Sequence, residues 1–256
     1  MYRPFDLTGM VALVTGGNSG IGLGIARACA EAGADVAIWG TNAAKNDAAC
    51  AALAATGRRV LALICDVGDE GAVEDAFART LNELGRVDGC FANAGVSGRG
   101  SASFLDLASE EWRRVLRVNL DGAFFTLRAA ARHMVARGGG GTLVATASLA
   151  AVEGAARSEH YAATKGAVIS MIRALAVEFA RHGVRANAIL PGWIETDLTA
   201  KRIGSSAFAN KVLPRIPLRR WGRGDDFGGI AVYLMSSASA YHTGDTFVID
   251  GGYAVF

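Results

Sequence analysis

The chain has 256 residues, with 26 Lys and Arg against 24 Asp and Glu for a formal net charge of +2; 51% of its residues are hydrophobic and 20% charged. That apolar fraction at near-zero net charge describes a folded globular chain, not a disordered one. The balance argues against a nucleic-acid partner, which needs a clustered basic surface, and the length allows one large core or two small ones.

In chain order, apolar runs of strand length alternate with longer helical stretches. Strands are predicted at 11–15, 35–39, 60–65, 87–92, 142–147, 185–190 and 246–249, and helices at 20–32, 41–56, 70–84, 109–136, 161–181 and 225–236. Continuous apolar strands separated by helices imply an α/β fold: a doubly wound parallel sheet of about seven strands with helices on both faces. No Pro-rich linker divides the chain, since its four prolines stand at 4, 191, 214 and 217. The long stretch without periodicity, Gly192 to Gly224, reads as a lid, because long loops in compact domains are usually functional.

No membrane span is expected. The most apolar long stretch, 161–182, is interrupted by Lys165, Arg173, Glu178 and Arg181. The N-terminus does not read as a signal peptide. Cys29, Cys50, Cys65 and Cys90 form no Cys-x-x-Cys pair and read as small buried thiols of a reducing, cytoplasmic compartment. No histidine or cysteine cluster has metal-ligand spacing.

Thr15-Gly16-Gly17-Asn18-Ser19-Gly20-Ile21-Gly22 follows the first strand and opens the first helix. Glycines there permit a tight turn and close approach to a pyrophosphate, and the helix N-terminus supplies free N–H groups. The loop alone leaves the ligand open between a dinucleotide and the S-adenosylmethionine of a methyltransferase. Tyr161 and Lys165, four apart on a predicted helix, share a face. A phenol of pKa near ~10 is a poor base at neutral pH, and a neighbouring ammonium is expected to lower that value. Taken singly, such a pair reads as a surface pair, and Ser148 and Asn119 read as backbone caps. His160 beside Tyr161 raises a Ser-His-Asp hydrolase reading, but no Gly-x-Ser-x-Gly elbow supports it. His133, His182 and His242 read as surface or cap residues.

The ordered set of motifs resembles the short-chain dehydrogenase/reductase superfamily, in its single-domain branch of about 250 residues. Besides the glycine loop, the set comprises Asn93-Ala94-Gly95 after the fourth strand and Asn119 in Val-Asn-Leu. Ser148 stands thirteen positions before Tyr161-x-x-x-Lys165, and Pro191-Gly192-Trp193-Ile194-Glu195-Thr196 and Asp250-Gly251-Gly252 complete it. The resemblance covers nearly the whole chain. It implies one Rossmann-type catalytic domain over 1–256, with a substrate lid at 193–224. It also implies an NAD(P)(H)-dependent oxidoreductase acting on a ketone or secondary alcohol.

By the same resemblance, Tyr161 is the general acid/base and Lys165 also binds the nicotinamide ribose. Ser148 holds the substrate oxygen, and Asn119 steadies a helix and a water leading to Lys165. The implied cofactor set is Gly16, Asn18, Ser19, Gly20, Ile21, Gly22, Gly40, Thr41, Asn42, Asp66, Val67, Asn93, Ala94, Gly95, Tyr161, Lys165, Pro191, Gly192, Ile194 and Thr196. Asp66 and Val67 match the adenine-contacting pair. No acid ends the second strand at Gly40-Thr41-Asn42 to repel a 2′-phosphate, which leans toward NADP(H) over NAD(H). Ser19 stands where many NADP-using members carry an arginine, and Lys45 is the nearby cation.

Ser97, Ser148, Leu149, Glu153 and Trp193 are the candidate substrate residues. Arg99, Arg157, Glu159 and Glu195 lie in the same loops. This mixture fits a small polar or sugar-like ketone. A 3-oxoacyl-carrier-protein reductase and a non-catalytic dinucleotide sensor are the alternatives. A homotetramer is implied, joined through the helices of Asn119 and Tyr161, with Ala167, Met171, Leu175 and Phe179 spaced along the second. One departure from the family stands out. Gly224 replaces a proline before Asp225-Asp226, which is expected to loosen the lid's distal anchor while leaving a helix start.

Overall fold

The computed structural model describes residues 3–99 and 103–256. Seven parallel strands form one sheet in the order β3-β2-β1-β4-β5-β6-β7. They are β1 (Val11–Thr15), β2 (Asp35–Gly40), β3 (Val60–Ile64), β4 (Gly89–Ala92), β5 (Gly141–Thr146), β6 (Val184–Pro191) and β7 (Thr246–Ile249). β1 and β2 are buried along their whole length, as strands covered on both faces must be, so they read as nearly unbroken apolar runs.

Successive strand residues feed opposite layers. Val14 and Ile38 pack with α1 (Gly20–Glu31), α2 (Ala43–Ala54) and α9 (Gly228–Met235), through Ile25, Leu53 and Leu234. Leu13 and Trp39 pack with α3 (Glu70–Leu84), α5 (Gly122–Arg137) and α6 (Glu159–Phe179), through Phe77, Leu127 and Ile172. Each such fully buried side chain contributes about 1.5–3 kcal/mol relative to exposure. The Trp39 indole N–H also donates to Thr80 Oγ1 at 3.2 Å, so its one polar atom is satisfied.

Three elements depart from the sequence reading. The single helix expected over 109–136 is two helices, α4 (Ser109–Leu116) and α5, joined by a π turn over Arg117–Asp121 that carries Asn119. The wider turn bends the backbone, and Asn119 is buried there against the loop after β4. α2 starts at Ala43 instead of 41, because Asn42 Oδ1 accepts the Lys45 N–H at 3.0 Å and ends the preceding extended segment. The stretch 192–224 holds two short helices, α7 (Ala200–Ile203) and α8 (Ser206–Val212).

Strand order reverses between β1 and β4, whose carboxyl ends therefore open a crevice where the connections diverge to opposite sides. Among the described residues no helix is long and apolar enough to cross a membrane.

Candidate active site

A cleft of about 540 Å³ opens at that crevice. Every residue assigned to the cofactor from the sequence lines it, from Gly16 at the β1 end to Thr196 beyond β6, together with Ser148. The glycine loop is closely packed. A Cβ at Gly22 would stand 2.2 Å from the Gly16 carbonyl oxygen and 2.5 Å from Asn93 Nδ2, so only glycine permits this turn. Asn93 ties the loop to the neighbouring strands: its Nδ2 donates to the Thr15 carbonyl at 2.9 Å, and its Oδ1 accepts from Thr146 Oγ1 at 3.1 Å.

The end of β2 is set by an amide bridge. Asn18 Nδ2 donates to Asn46 Oδ1 at 2.7 Å, and Asn46 Nδ2 donates to the carbonyls of Gly40 and Leu63. A Cβ at Gly40 would lie 2.2 Å from Asn18 Nδ2. The bridge thus fills the space that a longer residue at position 40 would need, and the missing acid has a packing cause.

At the other end of the cleft, Lys165 is buried and its ammonium donates to the Thr146 carbonyl at 2.7 Å. Burial pulls its pKa down to about 8. The ammonium lies 5.6 Å from the centre of the Tyr161 ring. The expected lowering of the Tyr161 pKa is not seen: burial raises it, and a hydrogen bond with Ser148 opposes that rise in part. Ser148 Oγ also accepts the Ala150 N–H at 3.2 Å.

Asn119 stands behind the cleft, not in its lining. Its Oδ1 accepts the Val96 N–H at 2.8 Å, its Nδ2 donates to the Val96 carbonyl at 3.0 Å, and Nδ2 also reaches Thr164 Oγ1 on the Tyr161 helix at 3.3 Å. This one buried side chain joins the loop after β4, the π turn and α6. The same loop is held further along. Arg114 donates to the Ser97 carbonyl at 2.7 Å and pairs with Glu111, which accepts the Arg99 N–H. Those bonds, Arg114 first, hold the Glu111 pKa down at about 2.

Of the candidate substrate residues, only Ser148 lines the cleft. Trp193 turns into a small aromatic cluster with Phe208, at 4.8 Å between ring centres, and Phe208 in turn stacks on Trp221. Leu149 joins the same cluster. Ser97 and Glu153 lie outside the lining, whereas Val96, Arg99, Arg114, Asp197, Leu198 and Thr199 are in it. Asp197, Leu198 and Thr199 follow the Pro-Gly segment directly, a signal that reading three residues further would have caught.

His160 is buried against the backbone at Gly98, and neither ring nitrogen has a hydrogen-bond partner. Its nearest charge is Glu111, at 4.0 Å. It makes no relay with Ser148, so the hydrolase arrangement has no geometry in this fold. His133 is not merely a surface group either, since its Nε2 accepts the Val87 N–H at 3.2 Å.

At Gly224 a Cβ would stand 2.2 Å from the Gly20 carbonyl oxygen, so the end of the 193–224 stretch, where a looser anchor was expected, packs directly on the start of α1. Asp226 accepts the Arg223 N–H at 2.7 Å and pairs with Arg220, and Asp225 pairs with Arg27. The helix start expected at Asp225 is a 3-10 turn over Gly224–Phe227 that leads into α9.

A strand-loop-helix phosphate turn, a buried lysine, a phenol and a hydroxyl in one cleft can bind a dinucleotide and exchange a proton beside it. Residues 16–254 match a family model described as enoyl-(acyl carrier protein) reductase, of the short-chain dehydrogenase type. The chain is a short-chain dehydrogenase/reductase. It is an oxidoreductase of that family, acting on alcohol groups with a nicotinamide cofactor. It is 36% identical to a 2-dehydro-3-deoxy-D-gluconate 5-dehydrogenase of Dickeya dadantii, over 99% of this chain and 98% of the relative. It is 35% identical to a 3-oxoacyl-acyl-carrier-protein reductase of Chlamydia pneumoniae, over 96% and 97%. A gluconate 5-dehydrogenase of Burkholderia cenocepacia, solved in complex with NADP and tartrate, superposes with a TM-score of 0.92 at 34% identity, covering 99% of this chain and 98% of that one. The dehydrogenase cleft described above fits such a dinucleotide: the Gly16–Gly22 turn lines it and opens α1, whose first backbone N–H groups have no partner within the helix and suit a pyrophosphate.

Proposed function

We propose that this dehydrogenase interconverts a ketone and a secondary alcohol on a small, polyhydroxylated, sugar-like substrate, with NADP(H) preferred over NAD(H). The observation that carries the reading is the meeting of Ser148, Tyr161 and Lys165 in the cleft that the glycine loop opens. The bound nicotinamide supplies or accepts the hydride. Ser148 and Tyr161 hold the substrate oxygen. The Tyr161 hydroxyl gives that oxygen a proton in reduction and takes one in oxidation. Lys165 binds the nicotinamide ribose and, when charged, favours the phenolate. Asn119 keeps the loop after β4 in register with α6 and steadies the water path to Lys165. We read the whole chain as one catalytic domain, with 193–224 as its lid.

Three points support the cofactor preference. Gly40 leaves no acid at the end of β2, Lys45 lines that end of the cleft, and the Burkholderia relative holds NADP. For the substrate, the cleft lining also carries Arg99, Arg114 and Thr199, polar groups suited to hydroxyls or a carboxylate, and the Dickeya relative is named for a sugar acid. The test is a panel of polyols, aldonates and their keto forms, run against β-ketoacyl thioesters with each dinucleotide. Turnover of a hydroxylated ketone, faster with NADPH, is expected. Turnover of thioesters alone would replace this reading with the acyl-carrier one, and dinucleotide binding without any turnover would favour a sensor.

We also propose a homotetramer in the cytoplasm. An apolar groove of about 490 Å³ runs between α5 and α6, lined by Phe124, Leu127, Met171, Leu175 and Phe179, and buried apolar surface drives such association. Light scattering at micromolar concentration is expected to give four times the 26.5 kDa chain mass. A monomer mass would refute the assembly. No cysteine pairs with another among the described residues, which suits a reducing compartment.

A further inference from the structure

The adenosine end of the cleft carries an ion pair that the reaction does not use. Lys45 stands on the first turn of α2, just after the end of β2, and Asp197 stands on the lid, directly after Thr196. Their Nζ and Oδ2 atoms are 2.7 Å apart although 152 positions separate them in the chain. Both side chains line the cleft, beside Ser19, Thr41 and Asn42. Arg117, another cation of the lining, is likewise paired, with Asp66 at 3.0 Å. Lys45 is the cation on the helix that follows Thr41, and in this structure the Asp197 carboxylate holds its ammonium.

We infer that Asp197 sets the dinucleotide preference by competing with a ribose 2′-phosphate for Lys45. The inference rests on the cofactor assignment above. An unphosphorylated ribose leaves the pair intact, so NAD(H) binds with the lid tied to α2. A 2′-phosphate brings a doubly charged, three-oxygen acceptor to the same ammonium and repels the carboxylate opposite. The exchange is feasible because the pair is weak: its side chains are 47% and 68% exposed, and such surface pairs contribute little. Asp197 thus narrows a preference for NADP(H) that Gly40 and Lys45 would otherwise make larger, and it couples the identity of the dinucleotide to the hold on the lid.

The test is a fluorescence titration of wild type, Asp197→Asn, Lys45→Met and the double variant with NADPH and with NADH. Asp197→Asn is expected to tighten NADPH about three- to fivefold, the upper size of one exposed charge interaction, and to leave NADH within about 1.5-fold. Lys45→Met is expected to weaken NADPH by a similar factor. In the Lys45→Met background the Asp197 substitution should have no further effect, because the two act through one contact. The NADH titration also shows that each variant keeps a folded cleft. An unchanged NADPH-to-NADH ratio in Asp197→Asn, or an equal gain in the Lys45→Met background, overturns this inference and leaves the oxidoreductase reading standing. Failure of the wild type to bind either dinucleotide overturns both.

Discussion

At the catalytic end of the cleft, Lys165 and Asn119 are buried and bonded to the backbone, one to the Thr146 carbonyl and the other to both sides of the Val96 peptide. At the end of the cleft beyond β2, Lys45 and Asp197 meet in an exposed pair between α2 and the segment after Thr196. If Lys165 and Asn119 act as proposed, they are held by buried contacts that are costly to break. If Lys45 and Asp197 part for a ligand as proposed, they are joined by a contact that water already weakens. On that reading one end of the cleft is built for position and the other for exchange.

The contrast can be sharpened first through Lys165. Its folded pKa of about 8 lies below the ordinary lysine value of 10.5, so folding disfavours the charged form. Below pH 8 the folded and unfolded chains both carry the proton, and the folded protein bears the full cost of the buried charge. Between about pH 8 and 10.5 only the unfolded chain keeps it, so stability rises with pH through that window. Urea denaturation should show wild type gaining on the order of 3 kcal/mol relative to Lys165→Met between pH 7.5 and 10.5. A flat difference would mean that the ammonium is solvated.

Asn119→Ala comes next. It leaves the half-buried Val96 N–H without its acceptor, which costs up to about 1–3 kcal/mol, and it frees the loop after β4. A lower melting temperature together with a fall in kcat is expected, with NADPH binding little changed. Loss of stability with unaltered kcat would make Asn119 a structural residue only. The smallest effect is at the exposed end, where Asp197→Asn should change stability by less than about 1 kcal/mol while altering the dinucleotide ratio. A larger loss in urea would show that the pair holds the fold together.

Much of this architecture was legible in the chain. β1 and β2 were readable because strands buried on both faces leave few polar residues to blur the pattern. The residues assigned to the cofactor were readable as one group because their spacing brings them to the carboxyl ends of neighbouring strands, and all of them line one cleft. The π turn at Arg117–Asp121 was hidden, since an extra residue in one turn barely alters a helical period over 28 positions. α7 and α8, of four and seven residues, are too short for periodicity to register. The surroundings of Gly224 and Trp193 were not legible for a shared reason. Each packs on a distant part of the chain, Gly20 in one case and Phe208 in the other, itself stacked on Trp221. The Lys45–Asp197 pair is of the same kind, because neither charge carries a local mark of its partner.

Tyr161→Phe tests the central claim most directly, when single-turnover reduction of an active ketone by NADPH is followed beside NADPH binding. The variant keeps the ring that packs beside Lys165 and removes only the hydroxyl. The account predicts unchanged NADPH affinity and a reduction rate lower by about 10²–10⁴-fold, the range for loss of a positioned proton donor. A variant that binds NADPH and reduces the ketone at the wild-type rate would contradict it, and the proton would then have to come from a group other than Tyr161.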